Sequence, residues 1–346
     1  MPSKNPTPSD RRRGSRAPNP QKPKPRKPAS KPAATADNSA PAGQKESQEI
    51  LDVFRSMFKE LFTPALQPLL QTVKQHLFNR DYAAAFGEKR NLEGYVVRWS
   101  PSRALCYTEV FTGMCGEVAG VFDLRKWKEG EGEGEERSRR EVVCIGGGAG
   151  AEVVAAAAAV RSFLGRNREE SREDGEEGGE SERGLHVTAI DIADWTPIIN
   201  SLRAGLTSSF ISPSTYSVTF HHHDILSTPS PPPTLLPPNT SLITLLFTTN
   251  ELYTQSRGDT TRFLLSLSAL TRVGCLLLVL ESAGSYSTVE INGKIFPMGM
   301  LLDHTLSGEW EIVFKDESRW HRLPEGLKYP IDLENMRYFV RVYRRV

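Results

Sequence analysis

The chain has 346 residues, 43 Lys and Arg against 42 Asp and Glu, a formal net charge of +1 and 38% hydrophobic residues. That length suits two average domains or one large domain with additions. No apolar run of 18 residues and no apolar N-terminal h-region is present, so neither a transmembrane helix nor a secretory signal is expected.

The charge is unevenly placed. Residues 1–46 are rich in Pro, Ala, Lys, Arg and Ser, with the clusters "RRRGSR" and "KPKPRKPASK". Such a segment buries too little apolar surface to order itself and is expected to be a disordered basic tail. It suits nuclear import and loose phosphate binding, and a merely solubilising tail is the plainer alternative. From residue 47 the pattern turns helical: Ile50, Phe54, Met57, Phe58 and Leu61 share one helix face. A second apolar stripe follows, then "EGYVVRWSPSRALCYTEVF" (93–111), which combines aromatics with Arg98 and Arg103. Residues 47–125 are expected to form an N-terminal helical cap. The acidic, glycine-rich "KEGEGEGEERSRR" (128–140), an insertion in a domain spanning 126–346, separates it from the first strand.

That domain opens with "VVCIGGGAGAEVVAAAAAV" (142–160). Val142–Ile145 read as a buried parallel strand and the alanine run as a helix able to pack closely. Between them Gly146, Gly147, Gly148 and Gly150 permit a tight turn with no Cβ to obstruct a ligand. Strand, glycine turn and helix N-terminus make the ligand crevice of a doubly wound sheet, where free N–H groups can hold phosphate or the polar tail of a nucleoside. The spacing fits a dinucleotide fingerprint (Gly146, Gly148, Ala151) and a methyltransferase one (Gly146, Gly148, Gly150). A second strand, "LHVTAIDIADW", carries Asp191, 45 positions after Gly146. Setting aside the charged insertion at 165–184, 20 residues long, brings that spacing to 25, close to that of an acid receiving ribose hydroxyls.

Further strands are expected at 215–226, ending near Asp224; at 241–252, with Thr249, Asn250 and Glu251 at its end; and in "GCLLLVLESAGSY", with Glu281, Ser282 and Tyr286 beyond it. A helix lies in "TTRFLLSLSALTRV". "WEIVFK" (310–315) and "MRYFVRVYRR" (336–345) read as a terminal antiparallel pair. The predicted fold is α/β, with a seven-stranded sheet and polar residues at the carboxyl end of each parallel strand, where ligands bind. Cys106, Cys115, Cys144 and Cys275 lack Cys-x-x-Cys spacing and read as reduced thiols. His221, His222 and His223 alternate faces on a strand and do not converge on one ion, so no metal is expected.

Taken together, "YVVRWSPSRALCYTEVF", "VVCIGGGAGAE", "FTTNELY" and "VLESAGSYSTVEINGKIFPMGMLLDHTL" resemble the class I S-adenosylmethionine-dependent methyltransferases, and more narrowly the fungal 25S ribosomal RNA uridine-N3 methyltransferases. The resemblance implies a Rossmann-like seven-stranded class I sheet, S-adenosyl-L-methionine as cofactor, a ribosomal RNA or pre-ribosomal particle as partner, and a nuclear, nucleolar location. It places Gly146, Gly147, Gly148 and Gly150 at the methionine end of the cofactor. It puts Asp191 at the ribose, Ile192 beside it among the cofactor-binding residues, Asp224 and Ile225 at the adenine, and Asn250 at cofactor and acceptor. Many class I enzymes have an acid two residues before the first glycine; this chain has Cys144 there, so other groups must hold that end.

Uridine N3 must lose a proton to become nucleophilic. Glu251 is the expected base with Asn250 orienting the acceptor, Asp224 being the next choice. The Watson–Crick edge must be unpaired or flipped out, and Tyr286, Trp99 or Tyr107 could stack on it, with Arg98 and Arg103 on phosphate. Three rivals stay open: a methyltransferase for a small molecule or protein, a non-catalytic ribosome-assembly factor, and a nicotinamide-dependent oxidoreductase.

Overall fold

The computed structural model describes residues 42–126, 139–174, 183–228, 231–284 and 287–346. The basic segment 1–41, most of the acidic stretch at 128–140, residues 175–182 of the second insertion, and Tyr286 lie outside the described residues.

The N-terminal part is helical: α1 (Ala42–Met57), α2 (Leu66–Phe78), α3 (Tyr82–Phe86), α4 (Lys89–Glu109) and α5 (Gly116–Phe122). The alternating part follows: β1 (Arg139–Ile145), α6 (Ala151–Asp174), β2 (Gly184–Asp191), α7 (Thr196–Ser209), β3 (Tyr216–His222), β4 (Thr240–Leu246), α8 (Thr249–Gln255), α9 (Arg257–Leu270) and β5 (Leu276–Ser282). A small hairpin, β6 (Thr288–Ile291) and β7 (Lys294–Pro297), leads into α10 (Met298–Leu306), β8 (Trp310–His321) and β9 (Met336–Arg345).

Seven strands form one sheet in the order β3-β2-β1-β4-β5-β9-β8. The first five are parallel; β9 inserts antiparallel between β5 and β8. Strand order reverses between β1 and β4, so the crevice at their carboxyl ends is where this topology binds ligands. Side-chain alternation divides the sheet between two cores. Val142 and Cys144 face the layer holding α1, α4, α5, α6 and α7, while Val143 and Ile145 face the layer holding α8, α9 and α10. Ala155 to Ala159 on α6 are all fully buried, and their small side chains let α6 lie between the sheet and α4. The N-terminal helices thus share one core with the sheet, and Ala40–Val346 is one compact unit.

Several element ends differ from the sequence reading. The expected strand over 241–252 stops at Leu246, because Phe247 takes a left-handed φ of 61° and donates its N–H to Leu280 O (2.8 Å). Thr249, Asn250 and Glu251 therefore form the first turn of a helix. β3 ends at His222, and Asp224 starts a turn by accepting Leu226 N–H (2.9 Å). The charged stretch after Gly165 continues α6 as far as Asp174. The β6–β7 hairpin went unpredicted although its signal is present. Asn292 (φ 50°) and Gly293 (φ 75°) are both left-handed, the two-residue turn that matches strand twist. No helix among the described residues is long and apolar enough to cross a membrane, and none of their His, Cys, Asp and Glu side chains group to hold a metal.

Candidate active site

The glycine turn sits at the end of β1. Gly146 and Gly150 have φ of 75° and 76°, with a short helical turn, Gly147–Ala149, between them. Both positive angles favour glycine. Packing adds a second reason: a Cβ at Gly148 would lie 2.0 Å from Trp195 Cδ1, and one at Gly146 would lie 2.3 Å from Thr248 Oγ1. The turn is bare because Trp195 and Thr248 press on it. Asp191 ties it to β2: Oδ2 accepts Gly148 N–H (3.1 Å) and Oδ1 accepts Ala193 N–H (3.0 Å). A carboxylate has about four acceptor sites, so capacity is left for a ligand.

A cleft opens above this turn, lined by Gly146, Asp191 and Glu251 together with residues from α4, α6 and the end of β4. On α4, Tyr95, Trp99, Arg103 and Tyr107 recur every four residues, which places them along one face. Ser100 Oγ donates to Ala149 O (2.8 Å) and holds that helix against the glycine turn. Tyr95, Arg103 and Tyr107 enter the cleft. Arg103 lies over the rings of Tyr95 (5.5 Å) and Phe247 (5.0 Å) and donates to Tyr95 Oη. It forms no ion pair among the described residues, so most of its five donors are unspent.

The acids of the cleft are held in low-dielectric surroundings. Glu152, in the first turn of α6, is 4% exposed and accepts Thr244 Oγ1 at 3.0 Å. Its Oε2 comes within 3.4 Å of where a Cβ on Gly147 would stand, so the carboxylate lies under the turn beside Cys144. Burial pushes its pKa to about 8, against the opposing pull of Thr244 and Arg103. Burial also raises Glu251 to about 8, with Asp191 adding to the effect and Arg103 opposing it. Asp191 is raised to about 6 by burial, the Ala193 and Gly148 amides acting the other way. Glu281, on β5, stands behind Glu251. It accepts Thr249 Oγ1 (2.9 Å) and Asn250 N–H (3.1 Å) at the start of α8 and so fixes that first turn. Burial raises its pKa as well.

Residues 54–344 match the model of a protein family described as "Putative SAM-dependent methyltransferase". The chain belongs to this family. The methyltransferase is also 37% identical over 320 residues to the 25S rRNA (uridine(2843)-N(3))-methyltransferase of Saccharomyces cerevisiae, a match covering 86% of this chain and 85% of the yeast protein. Two solved structures are similar at a lower level. One, an O-methyltransferase family protein from Burkholderia thailandensis, is 12% identical with a TM-score of 0.45, over 81% of this chain and 70% of that one. The other, a SAM-dependent methyltransferase from Methanosarcina mazei, is 12% identical with a TM-score of 0.37, over 60% and 93%.

S-adenosylmethionine is the cofactor of this methyltransferase, and the chemistry of the cleft fits it. The cofactor carries two positive groups, a sulfonium and an ammonium, and one carboxylate. The cleft opposes three acids, Glu152, Asp191 and Glu251, to one guanidinium with unspent donors.

The residues expected from sequence fall at different depths. Gly146, Asp191 and Glu251 line the cleft; Gly147, Gly148 and Gly150 form the turn beneath it. Ile192, just past Asp191, is 53% exposed. Asn250, next to cleft-lining Glu251, donates its Nδ2 to Ser287 Oγ (3.4 Å). Asp224 is engaged with Leu226 N–H and Gln255 Nε2 (2.7 Å), and Ile225 is buried in the α8–α9 core. Tyr107 is buried and stacked on Phe247 (6.5 Å), whereas Trp99 packs against Tyr95 (5.0 Å) under the Arg98 guanidinium (5.7 Å). Arg98 pairs with Glu334, and Arg103 is in the cleft. Sequence reasoning missed Glu152, Tyr95, Trp195, Phe247 and Thr248. The four-residue repeat on α4 and the acid two residues after the last glycine of the turn were the available signals.

Proposed function

We propose that this methyltransferase transfers a methyl group from S-adenosylmethionine to N3 of a uridine in large-subunit ribosomal RNA. One observation carries the reading: the relationship to the yeast uridine-N3 enzyme, at 37% identity, runs through 85% of that protein. The rRNA substrate makes a nuclear, nucleolar location the matching expectation, with the basic segment that precedes α1 (residues 1–41) serving import or RNA approach.

Bound S-adenosylmethionine supplies an electrophilic methyl on its sulfonium. The chain's own groups position it. Arg103 takes the methionine carboxylate through its free donors, a role guanidinium suits through its fork of N–H groups. Glu152 takes the ammonium from below the glycine turn, which answers the acid missing at Cys144. Asp191 keeps acceptor capacity for the ribose hydroxyls, and the exposed Ile192 side chain offers an apolar face to the adenine.

Glu251 is the group for the N3 proton. Its pKa of about 8 makes it a stronger base than an ordinary carboxylate, closer to the working pH, where general-base catalysis is most effective. Glu281 fixes the turn that carries it, and Asn250, held by Ser287, borders the acceptor side. Holding acceptor and methyl in line supplies about 7–11 kcal/mol of the barrier reduction in favourable cases.

The test is direct. The full chain and S-adenosylmethionine are incubated with large-subunit rRNA lacking the modification, and digested nucleosides are analysed by mass spectrometry. Appearance of 3-methyluridine supports the reading. Methylation of another position, or cofactor binding with no methyl transfer to rRNA, replaces it with another acceptor or with a non-catalytic assembly role.

A further inference from the structure

We propose that Trp320, flanked by Arg322 and Arg337, is a stacking platform for single-stranded RNA next to the target nucleotide; this rests on the RNA reading above. Trp320 is 52% exposed near the end of β8, an unusual setting for so large an apolar ring. The Arg322 guanidinium lies 5.3 Å from its centre and that of Arg337 lies 5.9 Å away. Both arginines are exposed, and neither forms an ion pair among the described residues; Arg337 spends only its Nε, on Ser318 Oγ (2.9 Å). Neighbouring Arg319 is instead committed to Asp316 (3.7 Å). Both guanidiniums lie over the exposed ring and neither has an ion-pair partner among the described residues, so a base that stacks on Trp320 meets the aromatic face and the guanidinium planes together, with the phosphate left to the two cations.

The topology puts this platform on the rim of the active site. β9 runs antiparallel to β5, so its beginning and the end of β8 lie beside the carboxyl end of β5. Trp320 and Arg337 are direct cross-strand partners, and Ser282, the last residue of β5, is paired with Tyr338. Ala283 N–H donates to Arg337 O (3.5 Å). Ser287 then donates to Ser282 O and accepts from Asn250, which borders the acceptor side. From β4, whose end lines the cleft, to β8 is three strand spacings, about 14 Å, a span that a few nucleotides of one RNA strand cover.

The experiment uses the full chain, its Trp320→Ala, Trp320→Phe and Arg322→Gln/Arg337→Gln variants, and a 12-nucleotide single-stranded RNA probe. Anisotropy at two salt concentrations gives affinity, calorimetry with S-adenosylhomocysteine checks the cofactor site, and rRNA methylation gives KM and kcat. Trp320→Ala is expected to weaken the probe about tenfold and raise KM for rRNA at unchanged kcat, with Trp320→Phe restoring both. The double arginine variant is expected to lower the salt slope by about 1 to 2. Wild-type RNA affinity and KM in Trp320→Ala would overturn the platform while leaving the rRNA activity standing. Loss of pre-ribosome co-sedimentation with probe affinity intact would also overturn it, in favour of a protein partner. A wild-type chain that neither binds the probe nor methylates rRNA would overturn the platform and the RNA reading together.

Discussion

Glu152 on α6 and Thr244 on β4 share a 3.0 Å hydrogen bond beneath the glycine turn, next to the fully buried Cys144. A carboxyl group thus stands under the turn although β1 has Cys144 in the place of an acid two residues before the first glycine. Burial raises the Glu152 pKa to about 8, and much of it is protonated near neutral pH when no cation faces it. A cationic ligand favours the ionised form and lowers that pKa again. Below pH 8, S-adenosylmethionine binding is expected to release protons and to tighten as pH rises towards 8. Glu152→Gln should flatten this dependence and weaken binding about tenfold. Calorimetry in buffers of different ionisation enthalpy measures both.

The same group sets the pH dependence of the free protein. Its pKa rises from the ordinary carboxylate 4.5 in the unfolded chain to about 8 in the folded one, so the native state holds the extra proton between these values. Stability from this group is fully present below about pH 4.5 and is lost as pH rises through 8. Glu251, raised to about 8, and Asp191, raised to about 6, act in the same direction. The ligand-free thermal midpoint is expected to fall between pH 5 and 9. Glu152→Gln should remove part of that loss and flatten the fall. A series of thermal melts across pH settles it; a midpoint that rises over this range contradicts the assignment.

Arg103 separates the amino-acid end of the cofactor from its nucleoside end. Arg103→Gln is expected to weaken S-adenosylhomocysteine 10- to 100-fold, a charged hydrogen bond being worth about 1.5–3 kcal/mol. Methylthioadenosine, which lacks the amino-acid tail, should bind wild type and variant alike. Equal losses for both ligands would mean that Arg103 only props the Tyr95 and Phe247 rings.

Gly148 is pinned by sterics: a Cβ there meets Trp195 Cδ1 at 2.0 Å. Gly148→Ala is expected to destabilise the ligand-free protein by about 1–3 kcal/mol, the usual cost of overpacking. Combining it with Trp195→Leu should recover part of the loss beyond the cost of Trp195→Leu alone. Urea denaturation of the four proteins in this cycle gives the coupling.

Glu251→Gln tests the base. Catalytic rate should fall by about 10²- to 10⁴-fold, the usual contribution of general acid–base catalysis, with cofactor affinity within a few-fold of wild type. In the wild type the rate should rise with pH and level off near 8, where Glu251 is ionised; the variant should lack that inflection. An unchanged profile would move the proton to solvent.

The sequence by itself determined the local grammar. Val142–Ile145, the four glycines and the alanine run had to be strand, turn and helix, and β9 begins and ends at Met336 and Arg345 as its alternation predicts. Asp191 was legible because strand-end acids at that spacing have one geometric destination. Element ends were less legible: the break at Phe247 depends on a left-handed φ that neighbouring β5 enforces through Leu280 O. Only the tertiary structure decided which side chains share the cleft. Arg103 looks from sequence like a surface cation. It reaches the cleft because α4 packs on α6 and turns its four-residue stripe towards the glycine turn. Trp320 and Arg337 stand 17 residues apart in sequence and become partners only through strand pairing. Periodicity encodes which face of an element is buried, a local property; what that face meets is set by how distant elements pack.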